Sequence, residues 1–546
     1  MTTDGMGVVS HAGTVLLAEL ADRIGLTALL SEATDGLRER RAGHDPGRVL
    51  VDVAVAIADG AVTISDIQPL ADPEGLHGPA GTVASTPTIW RVLSAIGTDQ
   101  EAGGGMLTRI RLARAQARDR AWTARGELTG SELPGSRAAG KTISEVVIDL
   151  DATLVTAHSD KEDAKGNFKG GFGHHPLGAW LDNTNEALAM LLRPGNAGSN
   201  TASDHLIVVE QALSQIPDRW RSKKVLIRAD GAGYSHALIT ALSEQELSFS
   251  VGYPVTEAVR DAIKLLPKWA WTAANNADGG LREHADVVEV TGMLDLSRWT
   301  VTCPGMRVIV RREHPHPGAT LDAFEIRDGY RYQAFTLNTP GGQLPFLDAR
   351  HRAHALVEDR IRTGKDTGIG HLPSRHAHIN KVWIELALIA ADLLALAQSM
   401  LLTDEPDLHR AEPKTLRYRL LHIAARITRG QRKLLLRLAE HWSWALALAR
   451  AFRRLRHSRN FAAAKILVSN PQDHPGLFAT LLKGRGWAAV GLLRRGVGRP
   501  RRSSGLWPTG RARSCSRPRC GRRLEGASPA PGPARRCGPQ PRGWSW

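Results

Sequence analysis

Three acidic residues occupy positions from which their carboxylates could take part in chemistry. Asp151 ends the β-branched segment SEVVIDLDATLV and Asp230 ends KKVLIRADG, so both are predicted at the carboxyl ends of strands. Glu358 lies in the predicted helix LDARHRAHALVEDRIRTGK. A single acid at a strand end is usually a turn or capping residue. Two acids on neighbouring strands, together with a third on a helix, instead favour a shared functional site. Carboxylates that converge at about 4 Å repel one another unless a cation lies between them.

A divalent metal ion is the cation that this set of residues favours. Mg²⁺ and Mn²⁺ prefer oxygen ligands, and two such ions about 4 Å apart would stabilise both oxygens of an in-line displacement at phosphorus. On the helix that contains Glu358, the residues His351, His354, Arg362 and Lys365 share one face. Cationic or titratable groups beside a carboxylate suit a metal ligand next to bound phosphates, although an exposed face of salt bridges would show the same spacing.

The segments around these residues predict a mixed α/β protein with helical ends. Residues 1–125 are predicted to be helical, and residues 126–141 form a linker by composition. Residues 142–253 predict three strands, a helix, a strand, a helix and a strand, in that order. Residues 254–346 contain strand-like segments separated by turns and are long enough for a β-rich insertion domain. Residues 347–483 are predicted to be mainly helical.

Two basic stripes are candidates for contacts with DNA. Arg111, Arg114 and Arg118 recur at i, i+3 and i+7 in the N-terminal region. This spacing fits a solvated helix face, and it also fits a helix-turn-helix that positions DNA. Arg419 and Arg426 lie on a second stripe, in a segment predicted to be a helix with apolar residues on its opposite face.

Composition locates the positive charge of the chain and indicates its cellular compartment. The chain has 71 Lys+Arg against 55 Asp+Glu, a formal net charge of +16, and residues 484–546 carry +14 of it with 15 Arg and one acid. This Arg/Pro/Gly-rich tail is predicted to be disordered. Four Cys and the lack of a signal-peptide pattern indicate the cytoplasm. The most apolar stretch, residues 383–402, contains Glu385 and Asp392, which favours a buried helix over a membrane span.

Four features of the sequence occur together: the strand order, the two aspartates, the β-rich segment and the helix with Glu358 and Lys365. Together they resemble the DDE transposases of bacterial insertion sequences, in particular insertion sequence family 1380. The resemblance covers about residues 10–470. It implies an α/β fold with a ribonuclease-H-like catalytic core interrupted by a β-rich insertion domain, a helical N-terminal DNA-binding region and a helical C-terminal region. It also implies cutting and joining of double-stranded DNA, at terminal inverted repeats and target sites, by at least a dimer when DNA is bound.

The resemblance assigns roles to individual residues. Asp151, Asp230 and Glu358 would be the catalytic triad that binds two Mg²⁺ or Mn²⁺ ions. The related signature on the last helix is Tyr, two residues, Arg, three residues, Glu, six residues and Lys. Glu358 and Lys365 keep this spacing, whereas His351 and His354 stand at the Tyr and Arg positions.

Further residues are candidates for contacts with DNA around this triad. Arg352 and Arg362 could supply the phosphate contact that the signature assigns to its Arg, beside Lys365. Trp299 could stack on an unpaired base near the cleaved strand, although core packing is the commoner role of a Trp among strand residues. The helical N-terminal region would bind the terminal inverted repeats.

Three other functions fit parts of the sequence. The segment DLDAT also matches the opening motif of haloacid-dehalogenase-like phosphatases, with Asp149 as nucleophile and Asp151 as acid/base. That fold needs a later strand ending in a pair of acids, and RADGAGYS contains only one. The other two are a DNA-binding protein without catalysis and an inactive transposase remnant. The remnant is considered because the composition of the tail resembles that of a gene translated in a shifted frame.

Overall fold

The computed structural model describes residues 7–37, 43–71, 75–77, 83–99, 105–158, 160–430 and 433–457. The tail predicted to be disordered, residues 484–546, lies outside the described residues, as do residues 458–483 of the predicted helical C-terminal region.

The helices and strands alternate through the middle of the chain, between ends that are mainly helical. The strands are β1 (Val8–Val9), β2 (Ser136–Ala138), β3 (Lys141–Ile143), β4 (Val146–Ala152), β5 (Val155–Thr156), β6 (Lys165–Gly166), β7 (Phe172–His174), β8 (Leu177–Leu181), β9 (Ala187–Leu191), β10 (Val225–Ala229), β11 (Ser248–Tyr253), β12 (Thr272–Asn275), β13 (Leu281–Glu289), β14 (Arg307–Glu313), β15 (Arg331–Leu337), β16 (Ala425–Gly430) and β17 (Lys433–Leu438). The α-helices are α1 (Thr14–Arg23), α2 (Leu26–Ala33), α3 (Pro46–Asp59), α4 (Thr86–Thr98), α5 (Met106–Thr129), α6 (Ala202–Ser214), α7 (Asp218–Arg221), α8 (His236–Glu244), α9 (Glu257–Leu265), α10 (Ala323–Asp328), α11 (Leu344–Arg352), α12 (Val357–Gly364), α13 (Ala377–Leu396), α14 (Pro406–His409), α15 (Pro413–Leu416) and α16 (Ala445–His457).

The N-terminal helices pack around the long helix α13. Helix α3 begins at Pro46, where the Asp45 carboxylate accepts the Arg48 N–H at 3.0 Å, and it ends before Gly60, whose φ of 116° favours glycine. Helices α3 and α13 are apolar on nearly every face and pack against each other. One hydrophobic core therefore contains residues of the N-terminal helices, the central sheet and α13.

A nine-stranded sheet among the described residues forms the centre of the fold. Its strand order is β12-β13-β14-β15-β11-β10-β4-β8-β9. Strands β4, β10 and β11 are parallel to one another, whereas β8 is antiparallel to β4, and β9 to β8. The order predicted for residues 142–253 is confirmed, since β4, β8, β9, α6, β10, α8 and β11 follow one another, with only the short β5–β7 and α7 between them. The fold is mixed α/β.

The β-rich segment, residues 254–346, extends this same sheet. Strand β15 pairs antiparallel with β11, where Ser250 is opposite Leu337, and β14, β13 and β12 follow outward. The expectation of a separate insertion domain is therefore corrected. The physical reason is that the outer edge of β11 has unpaired backbone groups, and β15 satisfies them.

The C-terminal region contains a β-hairpin where a helix was expected. Strands β16 and β17 pair antiparallel, and β1 from the N-terminal end adds to β16, with Val8 opposite Arg426. Along β16, Ala425 and Ile427 are buried whereas Arg426 is exposed, which is the alternation of a strand. The predicted helix over this segment was wrong: β16 pairs with β17 over six positions, and β1, which is remote in sequence, adds two pairs at its other edge.

The predicted linker, residues 126–141, is also structured. Helix α5 continues to Thr129 and ends at Gly130, whose φ is 80°. Strands β2 and β3 then form a hairpin from Ser136 to Ile143. The composition of this segment, rich in Gly and Ser, therefore marks turns between elements rather than a connection without structure.

Helix α13 is the most apolar element of the described residues. Its continuation Ala377–Leu401 is long and apolar enough to cross a membrane, but most of this stretch is buried inside the fold. The prediction of a buried helix over residues 383–402 is therefore confirmed. Glu385 and Asp392 lie inside it as partners of arginines on α5.

Candidate active site

Asp151 and Asp230 lie side by side at the carboxyl ends of two parallel strands. In the register of β4 and β10, Leu150 pairs with Ala229, and each aspartate is the next residue. Adjacent strands are about 4.8 Å apart, so the two side chains meet at one edge of the sheet. Asp151 is partly buried and Asp230 is exposed. The two strands predicted to be neighbours are therefore neighbours.

Glu358 approaches this edge from helix α12, which contacts β4. Burial raises the pKa of Asp151 to about 6. The Ala152 amide and His354 oppose this rise, whereas the negative charges of Asp230 and Glu358 add to it. Because both acids act on the carboxyl group of Asp151, the three carboxylates share one electrostatic environment.

The donor set fits a hard divalent cation. All three side chains offer carboxylate oxygen, and a cation would relieve the repulsion between them, which adds to the effect of burial on the pKa of Asp151. The three are not among the described sets whose ligand atoms all lie within 4.8 Å of one another. Since Asp230 and Glu358 are exposed, their side chains can rotate toward an ion without displacing buried groups.

A buried ion network lies beneath the three acids. Its centre is Asp149, which is fully buried two residues before Asp151. Arg228 binds it with two parallel hydrogen bonds, Nε to Oδ1 at 2.7 Å and Nη2 to Oδ2 at 2.8 Å. Burial alone would raise the pKa of Asp149, but Arg228 and His354 outweigh it and hold this pKa far below its usual value. Strands β4 and β10 are thus joined by a charged pair directly under the candidate site.

The same network holds helix α12 against the sheet. Arg360 is buried two residues after Glu358, and its Nη1 donates to Asp149 Oδ2 at 2.7 Å. Its Nε donates to Asn185 Oδ1 at 2.9 Å, and its Nη2 pairs with Asp182. Arg360 therefore positions the helical turn that presents Glu358, and it does so through Asp149 on β4 and through Asp182 and Asn185, which lie between β8 and β9.

The two histidines at signature positions have structural partners. His354 Nδ1 lies 3.0 Å from Asp149 Oδ1, so this ring belongs to the buried network. His351 Nδ1 lies 2.9 Å from Ser250 Oγ on β11, and its ring stacks on Phe335 at 4.4 Å. Burial and nearby cationic groups lower the pKa of His351 well below its usual value. Both residues therefore anchor the helical segment, and neither contacts solvent freely.

The cationic residues of this helical segment differ in how accessible their charged groups are to a ligand. Arg352 donates to Asp348 at 2.8 Å and to the Asn275 carbonyl, so its guanidinium is engaged within the fold. Arg362 is 59% exposed and pairs only with exposed acids. Lys365 is partly buried, and burial together with nearby Lys169 lowers its pKa. Arg362 and Lys365 are thus the two that a phosphate could reach.

The basic stripe of helix α5 faces inward. Arg114 and Arg118 are 3% and 2% exposed, and both bind Asp392 on α13. Arg114 also binds Glu385 at 2.9 Å, and Arg118 binds Glu186 at 2.7 Å. The prediction that these two arginines contact DNA is corrected, because their charges are neutralised inside the protein. The third member of the stripe, Arg111, is about a quarter exposed and donates to Glu385 at 3.0 Å.

Trp299 is part of the core. It is 3% exposed, its ring stacks on His236 at 4.5 Å, and Tyr234 lies 6.2 Å away. A base could not stack on a ring that is already covered on this side and excluded from solvent. The predicted role in DNA contact is therefore corrected, and the alternative role in core packing is confirmed.

Arg419 and Arg426 remain at the surface, although not on one helix. Arg419 lies over the Trp444 ring at 5.0 Å and donates to the Asp407 carbonyl at 3.1 Å. Arg426 is exposed on β16, opposite Arg437 on β17. Two arginines side by side on an exposed hairpin repel each other, and an anion bound between them would relieve the repulsion.

Sequence reasoning missed the residues of the buried network. Arg228 stands within the apolar segment VLIRA, and an arginine in a buried strand requires an acidic partner. That requirement was a usable signal, and Asp149 on the neighbouring strand satisfies it. The partners Asp182 and Arg360 carried no comparable signal, because Asp182 stands in the turn-type segment DNTN and Arg360 stands among other charged residues.

The network also excludes the phosphatase alternative. A nucleophilic aspartate has to contact substrate, yet Asp149 is 0% exposed and both of its oxygens are hydrogen-bonded. Asp149 is therefore a structural residue, and the acids available for chemistry are Asp151, Asp230 and Glu358.

Comparison with known proteins identifies the family of the chain. No curated protein sequence matches the chain. A solved structure, the cryo-EM structure of the piggyBac transposase synaptic complex with hairpin DNA, is similar with a TM-score of 0.40 and 9% identity over 84% of this chain and 87% of the other. The family model described as transposase DDE domain group 1 matches residues 1–460. The chain therefore belongs to the transposase DDE domain family.

Proposed function

We propose that this protein is a metal-dependent transposase, which binds the terminal inverted repeats of an insertion sequence and cuts and joins DNA strands there. The observation that supports it best is the placement of Asp151 and Asp230 on adjacent parallel strands, with Glu358 on the helix beside them. The strand order β9-β8-β4-β10-β11 supports a ribonuclease-H-like core, in which three antiparallel strands are followed by two parallel ones. An insertion sequence of family 1380 type remains the proposed source.

The chemistry is an in-line displacement at phosphorus. Asp151, Asp230 and Glu358 would hold two Mg²⁺ or Mn²⁺ ions, which when bound stabilise the attacking and the leaving oxygen. One arrangement can serve both steps, because water attacks in cleavage and the freed 3′-OH attacks in joining. Arg360 and Asp149 keep α12 at a set distance from β4, so that the three carboxylates stay together.

Contacts with DNA would come from cationic side chains that the fold leaves accessible. Arg362 and Lys365 lie on the helical segment of Glu358, and Arg419 and Arg426 lie at the C-terminal surface. Arg111 and Arg352 are engaged in part and would contribute less. Pairing two ends of an element requires two active sites, so we propose a dimer when DNA is bound, acting in the cytoplasm.

Cleavage of DNA carrying the terminal repeat, with Mn²⁺ present, tests the proposed function. Asp151→Asn, Asp230→Asn and Glu358→Gln are each expected to remove measurable cleavage while binding to the repeat stays near wild type, because each change removes one charged metal ligand. Asp359→Asn is the matched control, since this exposed neighbour of Glu358 pairs only with Arg362 and should cleave normally.

Two results would contradict the proposal. Near-normal cleavage by any of the three variants would remove that residue from the site. A wild-type protein that is folded and binds the repeat, but does not cleave it with Mn²⁺ or Mg²⁺, would instead indicate an inactive remnant or a DNA-binding protein without catalysis.

A further inference from the structure

A second group of ligand-type side chains lies far from the triad in the sequence. His11, Asp59 and His422 come from three separate segments: the turn before α1, the end of α3, and the turn between the helical segment Arg417–Leu421 and β16. Their ligand atoms all lie within 4.8 Å of one another. Nothing in the proposed DNA chemistry uses these residues, so their convergence needs its own explanation.

The geometry of this group is that of a partly open site. His11 Nδ1 lies 2.6 Å from Asp59 Oδ2, and His422 Nε2 lies 3.1 Å from Asp59 Oδ1. The two imidazole rings are 4.2 Å apart. The Asp59 side chain is 7% exposed, whereas those of His11 and His422 are 28% and 38% exposed. The carboxylate therefore forms the floor, and the rings leave a side open to solvent.

The carboxylate of Asp59 has unused bonding capacity. Its Oδ1 is buried and has no well-formed hydrogen bond among the described residues, even though His422 is close. The nearest polar groups are His11 Nδ1, at 2.6 Å from Oδ2, and His422 Nε2, which lies 3.1 Å from Oδ1 and 3.2 Å from the Asp59 backbone carbonyl oxygen. Arg417 lies beside this group but donates to the carbonyls of Ile57 and Ala58 instead of to the carboxylate. The Asp59 carboxylate is therefore available to the two histidines and to an ion bound beside them.

The backbone around the group is already held in place. Ala12 and Gly13 donate to the carbonyls of Ile423 and Leu421, both at 3.0 Å, so the segments of His11 and His422 are joined before any ion binds. His11 has a φ of 56°, a left-handed conformation that is uncommon for a non-glycine residue and persists only where the surroundings enforce it. The side chains are therefore presented by a preorganised frame.

From this geometry we propose that His11, Asp59 and His422 bind one transition-metal ion of the zinc class. Two imidazole nitrogens and one carboxylate oxygen form a ligand set that suits Zn²⁺, whereas Mg²⁺ prefers oxygen alone. Zinc bonds of about 2.0–2.2 Å to nitrogen and oxygen require neighbouring ligand atoms a little over 3 Å apart, so small side-chain shifts suffice. Water fills the fourth position on the open side. The ion would join the N-terminal segment, α3 and the β16–β17 hairpin.

A second set of residues offers a matched control. Glu162, His376 and His378 also bring their ligand atoms within 4.8 Å, but the structure already explains them. Glu162 accepts the Ala377 N–H at 2.8 Å at the start of α13, and His378 Nε2 lies 3.2 Å from Ser94 Oγ. This set is a helix cap, and it is expected to bind no zinc.

The test uses the full chain with the triad removed by Asp151→Asn, Asp230→Asn and Glu358→Gln, so that the active-site acids do not contribute. After chelation and dialysis, this protein is titrated with Zn²⁺ by calorimetry and with Co²⁺ by visible absorption. We expect one ion per chain, a tetrahedral Co²⁺ spectrum, and a melting temperature that rises with added Zn²⁺. His11→Gln and His422→Gln should each weaken binding by at least about tenfold, and Glu162→Gln should not.

Two results would contradict the proposed metal site. One is a folded triad-free protein that binds no Zn²⁺, which would make the three residues a hydrogen-bonded cluster only. The other is binding that survives both His11→Gln and His422→Gln, which would place the ion elsewhere. These two positions are partly exposed, so circular dichroism should show both variants folded, whereas Asp59→Asn is buried and is a weaker test.

Discussion

Replacing Arg360 with glutamine would test whether the buried network beneath Asp151 positions the candidate catalytic helix. In the wild type, Arg360 is 6% exposed and donates to Asp149, Asn185 and Asp182. The variant keeps a polar side chain but loses the charge and most of these donors. Asp149 would retain only Arg228 and His354 as partners.

The magnitude follows from the burial of the partners. Removing one member of a buried ion network leaves an uncompensated charge and costs about 3–5 kcal/mol of the free energy of unfolding. A fold of ordinary stability, about 5–15 kcal/mol, would survive this loss. Since Arg360 is two residues from Glu358, a displacement of α12 by about 1 Å would lower cleavage on the order of 100-fold.

Urea unfolding followed by circular dichroism, together with Mn²⁺-dependent cleavage at saturating DNA, would measure both effects. Arg362→Gln is the matched control for stability, because Arg362 is 59% exposed and its acidic partners are exposed as well, so it should cost at most about 1 kcal/mol. If Arg360→Gln unfolds within about 1 kcal/mol of wild type and cleaves at the wild-type rate, the network does not position the helix.

Three further predictions concern the candidate site, the interior and the surface. Because burial raises the pKa of Asp151 to about 6 in the metal-free protein, the folded state binds a proton between about pH 4 and 6 that the unfolded chain does not, and the contribution of Asp151 to stability should fall as pH rises through this window. Burial raises the pKa of Asp52 to about 6 as well, so Asp151→Asn should reduce the dependence relative to wild type in unfolding measured from pH 4 to 8; an unchanged dependence would contradict the raised pKa of Asp151. Glu186→Gln leaves Arg125 without its buried acid and Arg118 with Asp392 alone, and it should cost about 3–5 kcal/mol in urea unfolding, whereas a loss below about 1 kcal/mol would contradict the importance of this cluster. Arg426→Gln should leave stability unchanged and lower the slope of log K against log salt for DNA by about 1; an unchanged slope would remove Arg426 from the DNA contacts.

Local patterns were sufficient for the elements that carry the three acids. Continuous apolar segments such as VVIDL and VLIRA predict buried strands, because a strand covered on both faces excludes polar residues from most positions. Their order along the chain then places Asp151 and Asp230 at carboxyl ends. The neighbouring parallel pair found in the structure follows from that order.

The basic stripes could not be assigned from the sequence. A spacing of i, i+3 and i+7 shows that Arg111, Arg114 and Arg118 share a face of a helix, but it does not show what covers that face. The acids that neutralise them, Glu186, Glu385 and Asp392, are about 70 to 280 residues away along the chain. Only the packing of α5 on α13 and β9 brings these charges together.

The chain by itself therefore determined the local structure around the three acids, the fold class and the identity of the candidate acids, because these depend on side chains close in sequence. The tertiary structure decided which charges are available. It buried Arg114 and Arg118, placed β1 beside β16, and joined Asp149 to Arg360. Each of these outcomes depends on partners that are remote in sequence, and whether a charge is solvated or paired inside the fold is a property of those partners.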